Sequence, residues 1–120
     1  MSRASTADVY ADQPDFICKA VKEAREASAI AAREHTAASY ERAADGWAAI
    51  SVLVVGPPSH DARFQSLFAI REAYHAEPTP ERASRLRSAL AAFMASSPPS
   101  LPERATVQRW QAELRSSGYR

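Results

Sequence analysis

The sequence predicts an all-α protein: a small helical bundle of four to five helices with a long, Ala-rich N-terminal helix that kinks or divides. Three observations point there. Alanine occurs 26 times in 120 residues, and alanine loses no side-chain entropy in a helix. Apolar residues recur at helical spacing along most of the chain. Only one segment has strand character, and a lone strand would leave its backbone donors and acceptors unmet.

Residues 1–12 are small and polar and read as a flexible N-terminal arm. Residues 13–120 read as a single helical domain. The first helix starts near Asp12-Gln13-Pro14-Asp15, with an Asp cap and acidic charge at the positive end of its dipole. Its apolar positions run through Phe16, Ile17, Ala20, Val21, Ala24, Ala27 and Ala31, and the pattern continues through Ala38, Ala44, Trp47 and Ile50. An unbroken helix to Val55 would be about 60 Å long at ~1.5 Å per residue. A compact chain of this length has a radius of gyration of only about 14 Å. A division is therefore expected at Asp45-Gly46, where glycine costs a helix up to ~1 kcal/mol. Residues 50–55, Ile-Ser-Val-Leu-Val-Val, could form a strand or a helix. With no second strand to pair with, they read as the apolar end of a helix, stopped by Gly56-Pro57-Pro58.

The next helix is expected from Ser59, as cap, with Asp61 in its first turn and a wide apolar face of Phe64, Leu67, Phe68, Ile70 and Tyr74. Thr79-Pro80-Glu81 is a strong helix start. The helix it opens should bury Ala83, Leu86, Leu90, Phe93 and Met94. Ser100-Leu-Pro-Glu103 has the form of a capping box. The last helix, over 101–117, should bury Val107, Trp110 and Leu114, with Gly118 ending it and Tyr119 folding back. Pro-Glu-Arg-Ala-Ser/Thr opens both of the last two helices, which reads as one capping solution used twice rather than a solenoid repeat.

Composition limits the chemistry. The net charge of +1 excludes a strongly basic nucleic-acid coat, and a single cysteine excludes a disulfide framework or a Cys-based zinc knuckle. Three glycines exclude a P-loop or a dinucleotide-binding turn, and there is no Gly-x-Ser-x-Gly. Alanine supplies nearly half of the 46% apolar content, so the core is thin in area and relies on close helix packing or a partner surface. There is no span of ~18 apolar residues and no apolar leader, so a cytoplasmic protein without membrane contact is expected.

Few residues carry reactive character. Glu72-x-x-His75 has the spacing of carboxylate-bridged di-iron bundles, which need two such motifs and further Glu residues. A solvated Glu and a helix-end His is the reading adopted, and no metal or cofactor is expected. Arg71 and His75 are one residue too close for the Arg-x(4–6)-His signature of HEPN-type ribonucleases. His35 reads as flanking an exposed seam with Tyr40, and Cys18 as a small buried hydrophobe.

The C-terminal run Ala105-Thr-Val-Gln-Arg-Trp110, followed by Glu113-Leu-Arg115, resembles the recognition helix of helix-turn-helix regulators, in which polar residues face the groove and apolar ones the core. The resemblance implies that Arg104, Thr106, Gln108, Arg109, Gln111 and Arg115 approach DNA. Residues 79–120 carry seven Arg against three Glu, while residues 1–78 carry eight basic and eleven acidic groups, so the basic excess lies in the same region. The leading expectation is different: a non-enzymatic interaction or accessory protein of bacterial or phage type. Its Ala-rich seam suits a homodimer or another protein partner. The expected contact residues are Ala24, Ala27, Ala31, Tyr40 and Trp47, with Phe64, Phe68 and Tyr74 from the following helix. DNA binding through helix 101–117 is the alternative.

Overall fold

A computed structural model describes residues 8–117 and shows an all-α bundle of five helices: α1 Asp15–Glu34, α2 Ala37–Ser51, α3 Pro57–Ala76, α4 Pro80–Ser96 and α5 Glu103–Ser116. The radius of gyration is 14.7 Å and the principal extents are 47 × 33 × 28 Å. Consecutive helices pack on one another, α1 on α2, α2 on α3, α3 on α4 and α4 on α5, as short connections dictate. Among the described residues there is no strand, and no helix is long and apolar enough to cross a membrane.

The long N-terminal apolar pattern divides, but not at Gly46. The break falls at His35-Thr36. His35 takes the left-handed conformation (φ 55°), and its N–H closes the last turn of α1 on the Ala31 carbonyl at 2.8 Å. Thr36 then caps α2, its side chain accepting from the Ser39 amide at 3.2 Å. Histidine is among the residues that tolerate this conformation, and threonine is a good cap, so a reversal needs no glycine. Gly46 lies within α2, against Ala24 of α1. A Cβ built on it would sit 3.6 Å from the Ala24 Cβ. Small residues let α1 and α2 approach closely, so the Ala seam is spent inside the chain.

Residues 50–55 form no strand, and only Ile50 and Ser51 belong to the helix end expected there. α2 stops at Ser51, and Leu53 N–H bonds back to Ile50 O at 2.9 Å in a turn. Gly56 supplies the positive φ (71°) that reverses the chain, and Pro57 and Pro58 open α3. Ser59 is therefore not the cap of α3. It is buried in the first turn and its hydroxyl donates to Ser51 O at 2.8 Å, closing the end of α2. Asp61 lies beyond that first turn.

Of the other expected caps, Thr79 accepts from Arg82 N at 3.1 Å as read. The Ser100–Glu103 box does not form. Pro102 occupies the cap position without a side-chain bond, and α5 begins at Glu103. Pro14, not Asp12, precedes α1. In each case a proline with fixed φ takes the position that a side-chain cap would hold.

The core has a main cluster between α3, α4 and α5, built on Leu67, Ile70, Tyr74, Leu86, Leu90, Phe93, Val107 and Leu114. Met94 and Trp110 only half-bury against it, with Trp110 stacked on Phe64 at 5.6 Å. A second cluster joins Tyr10, Ile17, Val21, Trp47, Ile50 and Val54. It shows that the arm expected over residues 1–12 is docked from Asp8 onward, with Tyr10 buried. Residues 1–7, like Gly118 and Tyr119, lie outside the described residues.

Candidate interaction surfaces

The expected partner face is mostly interior. Ala24, Ala31, Tyr40, Trp47 and Tyr74 are buried by this chain's own helices, and Ala27 and Phe64 are half-covered. A side chain already packed on α1, α2 or α3 offers no area to a partner, so these residues are core. Phe68 alone of the set is exposed, with its ring centroid 6.4 Å from that of Trp110. Helical spacing identified the apolar stripes but could not say whether an intrachain helix covered them.

Exposed apolar surface gathers elsewhere. In the turn between α2 and α3, Val52, Leu53 and Val55 are 79%, 58% and 85% exposed, and Phe16 at the start of α1 is 65% exposed. The α1/α2 register places them at one level. Gly46 faces Ala24, seven residues beyond Ile17 on α1 and five before the end of α2 at Ser51. Ile17, Ile50 and Val54 share one core cluster, which anchors the tip from beneath. The turn segment was visible in the sequence, but its reading as a helix end hid its exposure.

Beside the tip, residues 8–10 form a strap across α1 and α3. Tyr10 Oη donates to Asp61 Oδ2 at 2.6 Å, with Pro58 O at 3.3 Å. Burial, and then the Asp61 carboxylate, push the phenol well above its ordinary range. Asp8 takes two bonds from the Arg25 guanidinium, at 3.0 and 3.2 Å, and one from the Tyr10 amide at 2.9 Å. The guanidinium, then the amide, hold its carboxyl below the usual range. Trp47 lies under the strap, its ring 6.1 Å from that of Tyr10 and its Nε1 donating to Ser28 Oγ at 2.9 Å.

The six residues carried over from the recognition-helix resemblance do not share a face. At about 100° per residue, Arg104, Gln108, Gln111 and Arg115 form one stripe of α5, while Thr106 and Arg109 lie on the other flank with Glu113. Arg104 is engaged, its Nη1 donating to Met94 O at 2.8 Å, Ser97 Oγ at 3.0 Å and Ser97 O at 3.2 Å, which closes the end of α4. The basic excess is partly spent inside as well: Arg82 meets Glu41 at 3.0 Å and Arg85 meets Asp45 at 3.2 Å. Gln108, Arg109 and Arg115 are exposed.

The reactive side chains do not converge. Among the described residues no group of three or more His, Cys, Asp and Glu is placed to hold a metal ion. Glu72 pairs with Arg71 at 3.5 Å, and His75 is exposed beside the Tyr74 ring. His35 Nδ1 lies 3.3 Å from Tyr40 Oη. Cys18 is exposed rather than buried, its thiol 3.5 Å from Gln13 O. The fold thus defines the class, a small five-helix bundle. No protein-family model, curated protein or solved structure matches the chain.

Proposed function

We propose that this chain is a non-enzymatic helical interaction module that binds another protein, or a second copy of itself, through the apolar tip formed by Phe16, Val52, Leu53 and Val55. The observation that carries the reading is their exposure at one end of the bundle. Solvent-facing turns favour Gly, Asn, Asp and Ser, and nothing in the packing requires Val52 or Val55 to be apolar. A concentrated exposed apolar patch marks a docking surface. Covering such side chains is worth roughly 1.5–3 kcal/mol each, against an association cost of roughly 4–15 kcal/mol. The tip alone therefore supports a transient complex, with polar neighbours setting specificity.

Light scattering across roughly micromolar to 100 µM, a range around transient-complex affinities, tests the self-association arm. A mass rising above 13.1 kDa that returns to monomer in a Val52→Asp/Val55→Asp variant supports it. A wild-type monomer throughout removes that arm and leaves a different protein as the partner. DNA contact through α5 is the weaker reading, because Arg104 is engaged and Arg109 lies apart from Arg115. It requires duplex binding at about 50 mM salt, where non-specific affinity is strongest. Absence of binding there removes it.

A further inference from the structure

We propose that the valley between α1 and α3 is a peptide-binding groove, and that residues 8–10 occupy it as a built-in competitor for a partner peptide of the form Asp-x-Tyr. This surface is distinct from the tip and does not depend on it. The first observation is that the valley is larger than its occupant. Two cavities, of about 350 and 490 Å³, open on either side of the strap, and Asp8, Tyr10 and Arg25 line both. The smaller cavity lies between the strap and α1, and only the larger one reaches α2 and α3. Beyond the strap the larger cavity is lined by Ser28, Trp47, Asp61 and Gln65, a mix of one aromatic and a few polar groups that suits ligand recognition.

The second observation is the chemistry by which the strap is held. The buried anchor is one phenol, which fills a pocket over Trp47 and donates a 2.6 Å hydrogen bond to Asp61. The second contact, Asp8 to Arg25, is a solvent-exposed ion pair and adds little in salt. Recognition therefore rests on an aromatic hydroxyl, with a carboxylate two residues before it setting register. A peptide in trans that carries the same pair meets the same partners and extends into the cavities that the strap leaves unfilled. The strap has the advantage of proximity, an effective concentration of the order of millimolar. The groove therefore opens to a partner only when the strap is outcompeted.

The experiment uses the full chain with an Asp8→Ala/Tyr10→Ala substitution, and a fluorescently labelled, end-blocked peptide of residues 7–12, Ala-Asp-Val-Tyr-Ala-Asp. Fluorescence anisotropy should show saturable binding to the variant, about tenfold or more tighter than to wild type, whose competent fraction is small. The same peptide with Tyr replaced by Ala should not bind. A variant that keeps its helical circular dichroism but does not bind the peptide overturns the proposal. So does equal binding of the Tyr-to-Ala peptide, and so does loss of helicity, which would mean that the bundle does not fold without the Tyr10 ring in its core cluster. A milder Tyr10→Phe chain, which keeps the ring, should also bind the peptide better than wild type does. Binding no better than wild type would equally count against the groove.

Discussion

Gly46→Ala should stabilise this protein. Gly46 lies inside α2, where a glycine costs about 0.5–1 kcal/mol relative to alanine through the backbone entropy of the unfolded chain. The usual objection to filling a glycine at a helix–helix contact is a clash. Here the added Cβ would meet Ala24 Cβ at 3.6 Å and Ala24 Cα at 3.8 Å, ordinary van der Waals separations. The new methyl therefore replaces empty space with contact and forces neither helix to move. The expected gain is about 1 kcal/mol from propensity and partial burial of the methyl together. For a domain of this size that raises the melting temperature by about 3–6 °C. Urea unfolding followed by circular dichroism and by tryptophan fluorescence should show a higher midpoint with an unchanged slope. A loss of 0.5 kcal/mol or more would mean that α1 and α2 pack more closely at this point than the 3.6 Å separation from the Ala24 Cβ allows for.

The strap gives a pH-dependent expectation. Tyr10 has its phenol raised above the ordinary value of 10.0, first by burial and then by Asp61, so the unfolded chain ionises first. Stability is fully present below pH 10 and falls above it, by up to about 1.4 kcal/mol per pH unit for this one proton. Tyr10→Phe should flatten that alkaline limb in urea titrations, while costing about 1.5 kcal/mol at neutral pH through the lost bond to a carboxylate; an unchanged limb would contradict the assignment. Arg104→Ala should cost about 1–2 kcal/mol by uncapping α4, whereas Arg109→Ala, on an exposed face, should stay within about 0.5 kcal/mol. Equal effects in thermal melts would argue against the capping role. Thr79→Ala should cost about 1 kcal/mol by loss of the bond to the Arg82 amide, measured in the same melts.

The helical architecture was legible because periodicity and the scarcity of glycine speak directly to backbone choice. Thr79-Pro80 was legible for the same reason, since its signal is local. The errors arose where tertiary context decides. Gly46 looked like a break because a glycine disfavours a helix, but packing against Ala24 outweighs that cost. Ser59 and Ser100 have good capping chemistry, yet adjacent prolines set the helix starts. Trp47 and Tyr74 looked like partner contacts because an apolar face has the same pattern whether an intrachain helix or a stranger covers it. The apolar tip was hidden for a related reason: Val52 to Val55 have strand and helix-end propensity, and only the turn set by Gly56 turns three of them outward. Tyr10 carries no sequence signal for its docking, because its partner Asp61 is fifty-one residues away.

We propose that the tip, not the helix seam, meets a partner. The most direct measurement is photocrosslinking in the native host, with a benzophenone side chain placed at Leu53 and, as a control, at exposed Arg87. Docking at the tip should give a discrete adduct from position 53, absent from position 87 and abolished by Val52→Asp/Val55→Asp, whose mass separates a second copy from a different protein. No adduct at position 53, or the same adducts from both positions, would contradict it.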